Sequence, residues 1–128
     1  MALVVLQESK PDLVKLMLSK VLTLRLFQND KTPAPGDTAT EYEEADFIGY
    51  LSIRLEPARW DVTRPLAVYD PMTEQTFISD ADQDAQPVYG YFIMGGRKVR
   101  WAERFAGGPY VIQFFGDRIA VRPVFGLE

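Results

Sequence analysis

The order of apolar and polar positions along the chain changes period several times, and each change marks an element. Residues 1–8 begin apolar and carry no clear period, which suits an arm or an edge strand. Ser9 then stands where a helix N-cap would, with Pro11 in the first turn and Asp12 placed to favour the N-terminal dipole. Leu13, Leu16 and Met17 follow at i, i+3 and i+4, and Lys20 suits a helix C-terminus, so a short helix is expected at about 10–19. From Val21 to Phe27 the period drops to two: Leu22, Leu24 and Leu26 alternate with Thr23 and Arg25, as in a half-buried strand. Residues 28–40 hold Asn29-Asp30, Pro33, Pro35 and Gly36 and read as a long loop.

A second strand is expected over Phe47–Leu55, with Phe47, Gly49, Leu51, Ile53 and Leu55 on one face and Glu56-Pro57 closing it. Trp60 and Val62 suggest a further short segment. Residues 66–69 and 74–78 are short strands split by Asp70-Pro71, and residues 79–86 form a polar loop. Val88–Met94 and Arg97–Phe105 flank Gly95-Gly96, a two-residue hairpin signal. That register sets Phe92 opposite Val99, Gly90 opposite Trp101, Tyr91 opposite Arg100 and Ile93 opposite Lys98. Tyr110–Phe115 and Arg118–Phe125 about Gly116-Asp117 read as a second hairpin. Many short strands with regular turn signals imply a mostly β fold, an antiparallel β-sandwich or small barrel with one short N-terminal helix. A length of 128 residues fits one domain that buries its core without disulfides or metals.

Composition narrows the chemistry. The chain has no histidine and no cysteine, so Ser-His-Asp and Cys-His catalysis and His/Cys zinc sites are excluded. Acid–base work would fall to carboxylates, lysine or tyrosine. No spacing singles out a carboxylate pair among the 18 acidic residues, and Glu41, Glu43 and Glu44 read as a solvated strand end. Asp80, Asp82 and Asp84 open like a calcium loop, but the sixth position is Ala85 rather than glycine and the twelfth is Tyr91 rather than glutamate. Gly95-Gly96 and Gly107-Gly108 are turn glycines, since neither leads into a helix as a phosphate-binding loop would. No cofactor and no metal are expected. With a net charge of −4 and no basic run longer than two, a nucleic-acid partner is not expected either. The apolar N-terminal stretch lacks a basic flank and is interrupted by Glu8, so neither a signal peptide nor a membrane span is expected.

Aromatic residues crowd the C-terminal third, among them Tyr89, Tyr91, Trp101, Phe105, Tyr110, Phe114 and Phe115. Most belong in the cores of the two hairpins. Strand alternation sends them to both faces, however, and a small sandwich is expected to bury only one face of each sheet. Tyr89, Tyr91 and Arg100 therefore stand out as an interface face. The stripe of Leu13, Leu16 and Met17 either caps the sandwich or packs on a symmetry mate. Leu3 and Val5 could reach a neighbour as part of an arm.

Four segments in order carry a resemblance. They are the leucine-rich helix Asp12-Leu13-Val14-Lys15-Leu16-Met17-Leu18; Leu22-Thr23-Leu24-Arg25-Leu26-Phe27-Gln28-Asn29 with Thr32-Pro33; Ala45-Asp46-Phe47-Ile48-Gly49-Tyr50; and Val88-Tyr89-Gly90-Tyr91-Phe92 with Trp101-Ala102-Glu103-Arg104-Phe105. Together they resemble a group of small virion-associated proteins of tailed phages. The resemblance implies a non-enzymatic structural role, most simply a capsid decoration (cement) protein. Its partner would be the major capsid protein, its form a homo-oligomer such as a trimer, and its place the capsid surface after assembly in the host cytoplasm. A tail, baseplate or host-adsorption protein that binds a surface glycan or protein is the alternative. No catalytic residue is implied.

Overall fold

The computed structural model describes residues 9–63 and 66–126. It is mostly β, with antiparallel sheets and one short helix near the N-terminus, and no sheet of the described residues closes into a barrel. The helix, α1 (Lys10–Met17), is followed by β1 (Leu22–Phe27), β2 (Ile53–Leu55), β3 (Trp60–Asp61), β4 (Ala67–Tyr69), β5 (Gln75–Ile78), β6 (Gln86–Val88), β7 (Gly90–Gly95), β8 (Lys98–Arg104), β9 (Tyr110–Ile112), β10 (Arg118–Val121) and β11 (Val124–Phe125). The largest sheet has the order β2-β1-β7-β8; smaller ones are β11-β4-β3, β10-β5 and β6-β9. All of them contribute to one core, which runs from Val14 and Leu18 through Leu24, Leu26, Leu55, Tyr69, Phe77, Val88, Tyr91 and Ile93 to Ile112, Ile119 and Val121.

The helix docks through Val14 and Leu18, an i, i+4 pair, with Met17 partly buried beside them. Leu13 and Leu16 point outward instead, and Leu16 is 66% exposed. The stripe expected from spacing is therefore offset by one residue from the face that is buried. Leu3 and Val5 lie outside the described residues.

The β7–β8 hairpin forms, but not in the expected register. Its turn is Gly96-Arg97, with Gly96 at φ +64° and Gly95 paired with Lys98. A bulge between Ile93 and Met94 then shifts the ladder, so Ile93 faces Trp101, Phe92 faces Ala102, Tyr91 faces Glu103 and Gly90 faces Arg104. One extra residue on one strand turns every later side chain to the other face. Trp101 thus joins the Tyr91 and Ile93 side, where it packs on the main core and against Trp60 and Phe125. The ring across Gly90 is that of Phe27, not Trp101: a Cβ there would lie 2.5 Å from Phe27 Cζ, and nearer still to the Glu103 carbonyl.

Every residue of β7 is buried. The face expected to be open, that of Tyr89, Tyr91 and Arg100, places Tyr91 and Ile93 in the main core, and the opposite face carries its own cluster of Phe27, Tyr42, Phe92 and Met94. Tyr42 stacks on Phe92 with ring centroids 5.3 Å apart and meets the edge of Phe27. The long loop after β1 makes this possible. Asp37 accepts hydrogen bonds from Ala34 N at 2.8 Å and from the Tyr42 hydroxyl at 2.7 Å, and pairs with Lys31 at 2.9 Å. Asn29 adds bonds to the Glu41 carbonyl and the Glu43 amide.

Two other expectations fail for identifiable reasons. Residues 47–52 are not strand: Gly49 sits at φ +98°, Tyr50 N bonds back to Phe47 O, and the turn lets Tyr50 stack on Phe77 at 5.6 Å. Only Ile53–Leu55 pairs with β1. The second hairpin exists as a turn alone. Asp117 closes it, its carboxylate accepting from Gln113 N and Phe114 N. Beyond it the arms part, β9 to β6 and β10 to β5, so that Ile112 and Ile119 reach the core through different sheets.

The Asp37 clasp should be visible in acid. The Lys31 ammonium, the Tyr42 hydroxyl and the Ala34 amide hold the Asp37 carboxyl down from its ordinary 3.8 to about 2. A depressed folded-state pKa stabilises fully above the unfolded value and loses that stabilisation as pH falls through the folded one. Chemical denaturation of wild type and Asp37→Asn should therefore give a stability difference that is constant above about pH 5 and shrinks between about pH 4 and pH 2. A difference independent of pH would exclude the ionised clasp.

Candidate functional site

Three irregular segments, 46–50, 79–85 and 113–117, meet at one end of the molecule. Gln83 is their junction. Its Oε1 accepts from Ile48 N at 2.7 Å, and its Nε2 donates to Ser79 Oγ at 2.8 Å and to the carbonyls of Ala81 and Ile48. Its own amide bonds to Gln113 O. Ser79, buried, exchanges backbone bonds with Gly116 and Asp117. Asp82 Oδ1 accepts from Phe115 N at 2.9 Å, and Asp46 and Gln86 form a reciprocal pair. The positive φ of Gly49 also matters here, because a Cβ at that position would lie 2.5 Å from Ile78 O and 2.8 Å from Asp80 N.

This framework holds apolar side chains in solvent. Ile48, Ile78, Phe114 and Phe115 are all exposed, Phe115 at 72%. Leu51, 78% exposed, lines a groove of about 490 Å³ with Ile78 and Gly49. Single exposed apolar residues are ordinary, but several on one fixed framework make this the candidate surface for a partner. Asp80 lines the same groove, and Asp82 and Asp84, also exposed, follow it in the 79–85 loop. Among the described residues no cluster of carboxylates is placed to hold a metal. Asp82 is instead occupied in fixing the Phe115 backbone.

The residues expected to form an interface are not brought together as one face. Tyr91 is 3% exposed, and its hydroxyl donates to Glu103 at 3.1 Å. Burial, and the Glu103 carboxylate beside it, raise the pKa of that hydroxyl and keep it protonated. Tyr89 is half-buried beneath the Arg104 guanidinium, 5.1 Å from its ring centroid. Arg100 lies at the bulge and folds back to the Gly95 carbonyl. Leu13 and Leu16 on α1 remain exposed, and Leu16 and Arg100 share a second groove described below. Phe114 and Phe115, read from the sequence as hairpin core, are the residues that stand out at the surface. Their position directly before Gly116-Asp117 was the available signal, since a tight turn leaves two adjacent rings no common interior.

No helix among the described residues is long and apolar enough to cross a membrane. Compared with models of known families, with curated proteins and with solved structures, the chain shows no match.

Gln83→Ala removes the junction: Ile48 N loses its acceptor and Ser79 Oγ its donor, while Ser79 keeps its bond to the Ala81 carbonyl. The variant should lose about 1–3 kcal/mol of unfolding free energy in urea, the scale for losing several hydrogen bonds at about 0.5–1.5 kcal/mol each. A loss below about 0.5 kcal/mol, the usual range for a surface substitution, would mean that the framework does not depend on it.

Proposed function

We propose that the protein is a non-enzymatic structural component of a tailed-phage particle, a decoration protein that binds the capsid surface and stabilises the shell. The observation that carries the reading is the set of large apolar side chains held in solvent by the Gln83 framework. A surface fixed before binding loses little conformational entropy on docking, which suits a protein that adds to a lattice already built. Binding the assembled shell and not its separated subunits stabilises the shell by mass action. Repetition over many sites lets each contact be modest. The link to a phage rests on the resemblance of the four segments described above, and the partner under this reading is the major capsid protein. A tail, baseplate or adsorption role is favoured by Tyr110, an exposed ring packed at 5.3 Å against Phe105 and available to stack on a sugar.

Copy number separates the two. Quantitative mass spectrometry of purified particles should give about one copy per capsid subunit, within the few-fold range that decoration of a shell allows. A handful of copies per particle would place the protein in the tail or baseplate, and absence from particles would overturn both readings.

A further inference from the structure

The two ends of the main sheet differ in charge and are alike in exposing apolar surface. At one end the β7–β8 turn and the C-terminal end of α1 enclose a groove of about 430 Å³. Leu16, Met17 and Val21 supply its apolar wall, and Lys20 and Arg100 its cations. Arg97 and Lys98 at the turn are also exposed. No carboxylate lines this groove, and among the described residues none of these four cations forms an ion pair. At the other end stand Phe114 and Phe115 beside exposed Asp80, Asp82 and Asp84, with Arg118 as a nearby cation. The register of the sheet fixes this separation. Thr23 pairs with Met94 at the basic end and Phe27 with Gly90 at the acidic end, a distance of roughly 14 Å at about 3.4 Å per residue. The loops extend each end further.

We propose that the occupant of the basic groove is the acidic, aromatic end of a second copy of this chain. The two surfaces are complementary in both respects that matter. Phenylalanine rings at the tip of a turn meet an apolar groove, and carboxylates that form no ion pair among the described residues meet cations that form none either. An isologous contact would set like charges against each other at either end, which is unfavourable. Because the two surfaces lie at opposite ends, the contact is head-to-tail, and such contacts propagate into a closed ring or an open chain. The inference concerns the isolated protein and does not depend on a place in a virion.

The test is sedimentation equilibrium on the purified full chain with two charge reversals at exposed positions, Lys98→Glu in the basic end and Asp84→Lys in the acidic end. Wild type should associate beyond a monomer at low salt, and salt should weaken the association. Each single variant should associate at least tenfold more weakly, with an unchanged far-ultraviolet spectrum and, at concentrations where both are monomeric, an unchanged melting point. An equimolar mixture of the two should regain growth beyond the dimer, because the two intact ends pair with each other and so do the two reversed ends. The double variant, with both charges reversed, should regain growth beyond the dimer. A wild type that is monomeric at every concentration to about 1 mM overturns the proposal, as does association insensitive to both reversals or a mixture no more associated than its components.

Discussion

A strand dry on both faces governs this structure. β7 lies between β1 and β8, with Tyr91 and Ile93 in the main core and Phe92 and Met94 in a second cluster. Its backbone is satisfied by two ladders, and its side chains require cover on both sides. The small sheets and α1 supply cover on one side. The loop after β1 supplies it on the other, through Tyr42 and the Asp37 clasp. Gly90 belongs to the same constraint, because Phe27 and the neighbouring strand leave no room for a Cβ.

With the centre fixed this way, variation is left to the ends. The strands flanking the core are short, so much of the chain runs in turns at the two ends of the main sheet. Those turns are tied by side-chain hydrogen bonds rather than by sheet ladders. Gln83, Asp82 and Asp117 each hold backbone groups that a strand would otherwise have paired. Such ties leave nearby apolar residues free to face solvent. Phe115 is exposed while its amide is held by Asp82, and that combination of rigidity and exposure is what makes the surface suited to a partner.

The fold class was legible in the chain because alternation at Leu22–Phe27 and the glycine-marked turns are local signals. The helix was legible for the same reason, although its buried face is Val14 and Leu18 and not the Leu13–Leu16 edge. What the sequence hid was non-local. A bulge opposite Ile93 and Met94 reverses the sidedness of Trp101, and nothing in the alternation of β8 announces it. The departure of β9 and β10 into different sheets depends on which partners Ile112 and Ile119 find. The surface at Gln83 is built from three separate segments, with Ile48 35 residues before Gln83 and Phe115 33 after Asp82, so no single stretch could display it. Tyr91 misled for a physical reason: tyrosine is common at interfaces, but with Glu103 as an acceptor its hydroxyl is satisfied in the interior.

Native-state hydrogen exchange tests the role of β7 most directly. If its two-sided burial holds the fold together, the amides of Phe92 and Ile93 should exchange only through global unfolding, with protection matching the free energy from urea denaturation. The amides of β6 and β9, in a two-stranded sheet at one end, should open at lower cost. Exchange of Phe92 and Ile93 through local opening, at the level of β6 and β9 or below, would contradict the account.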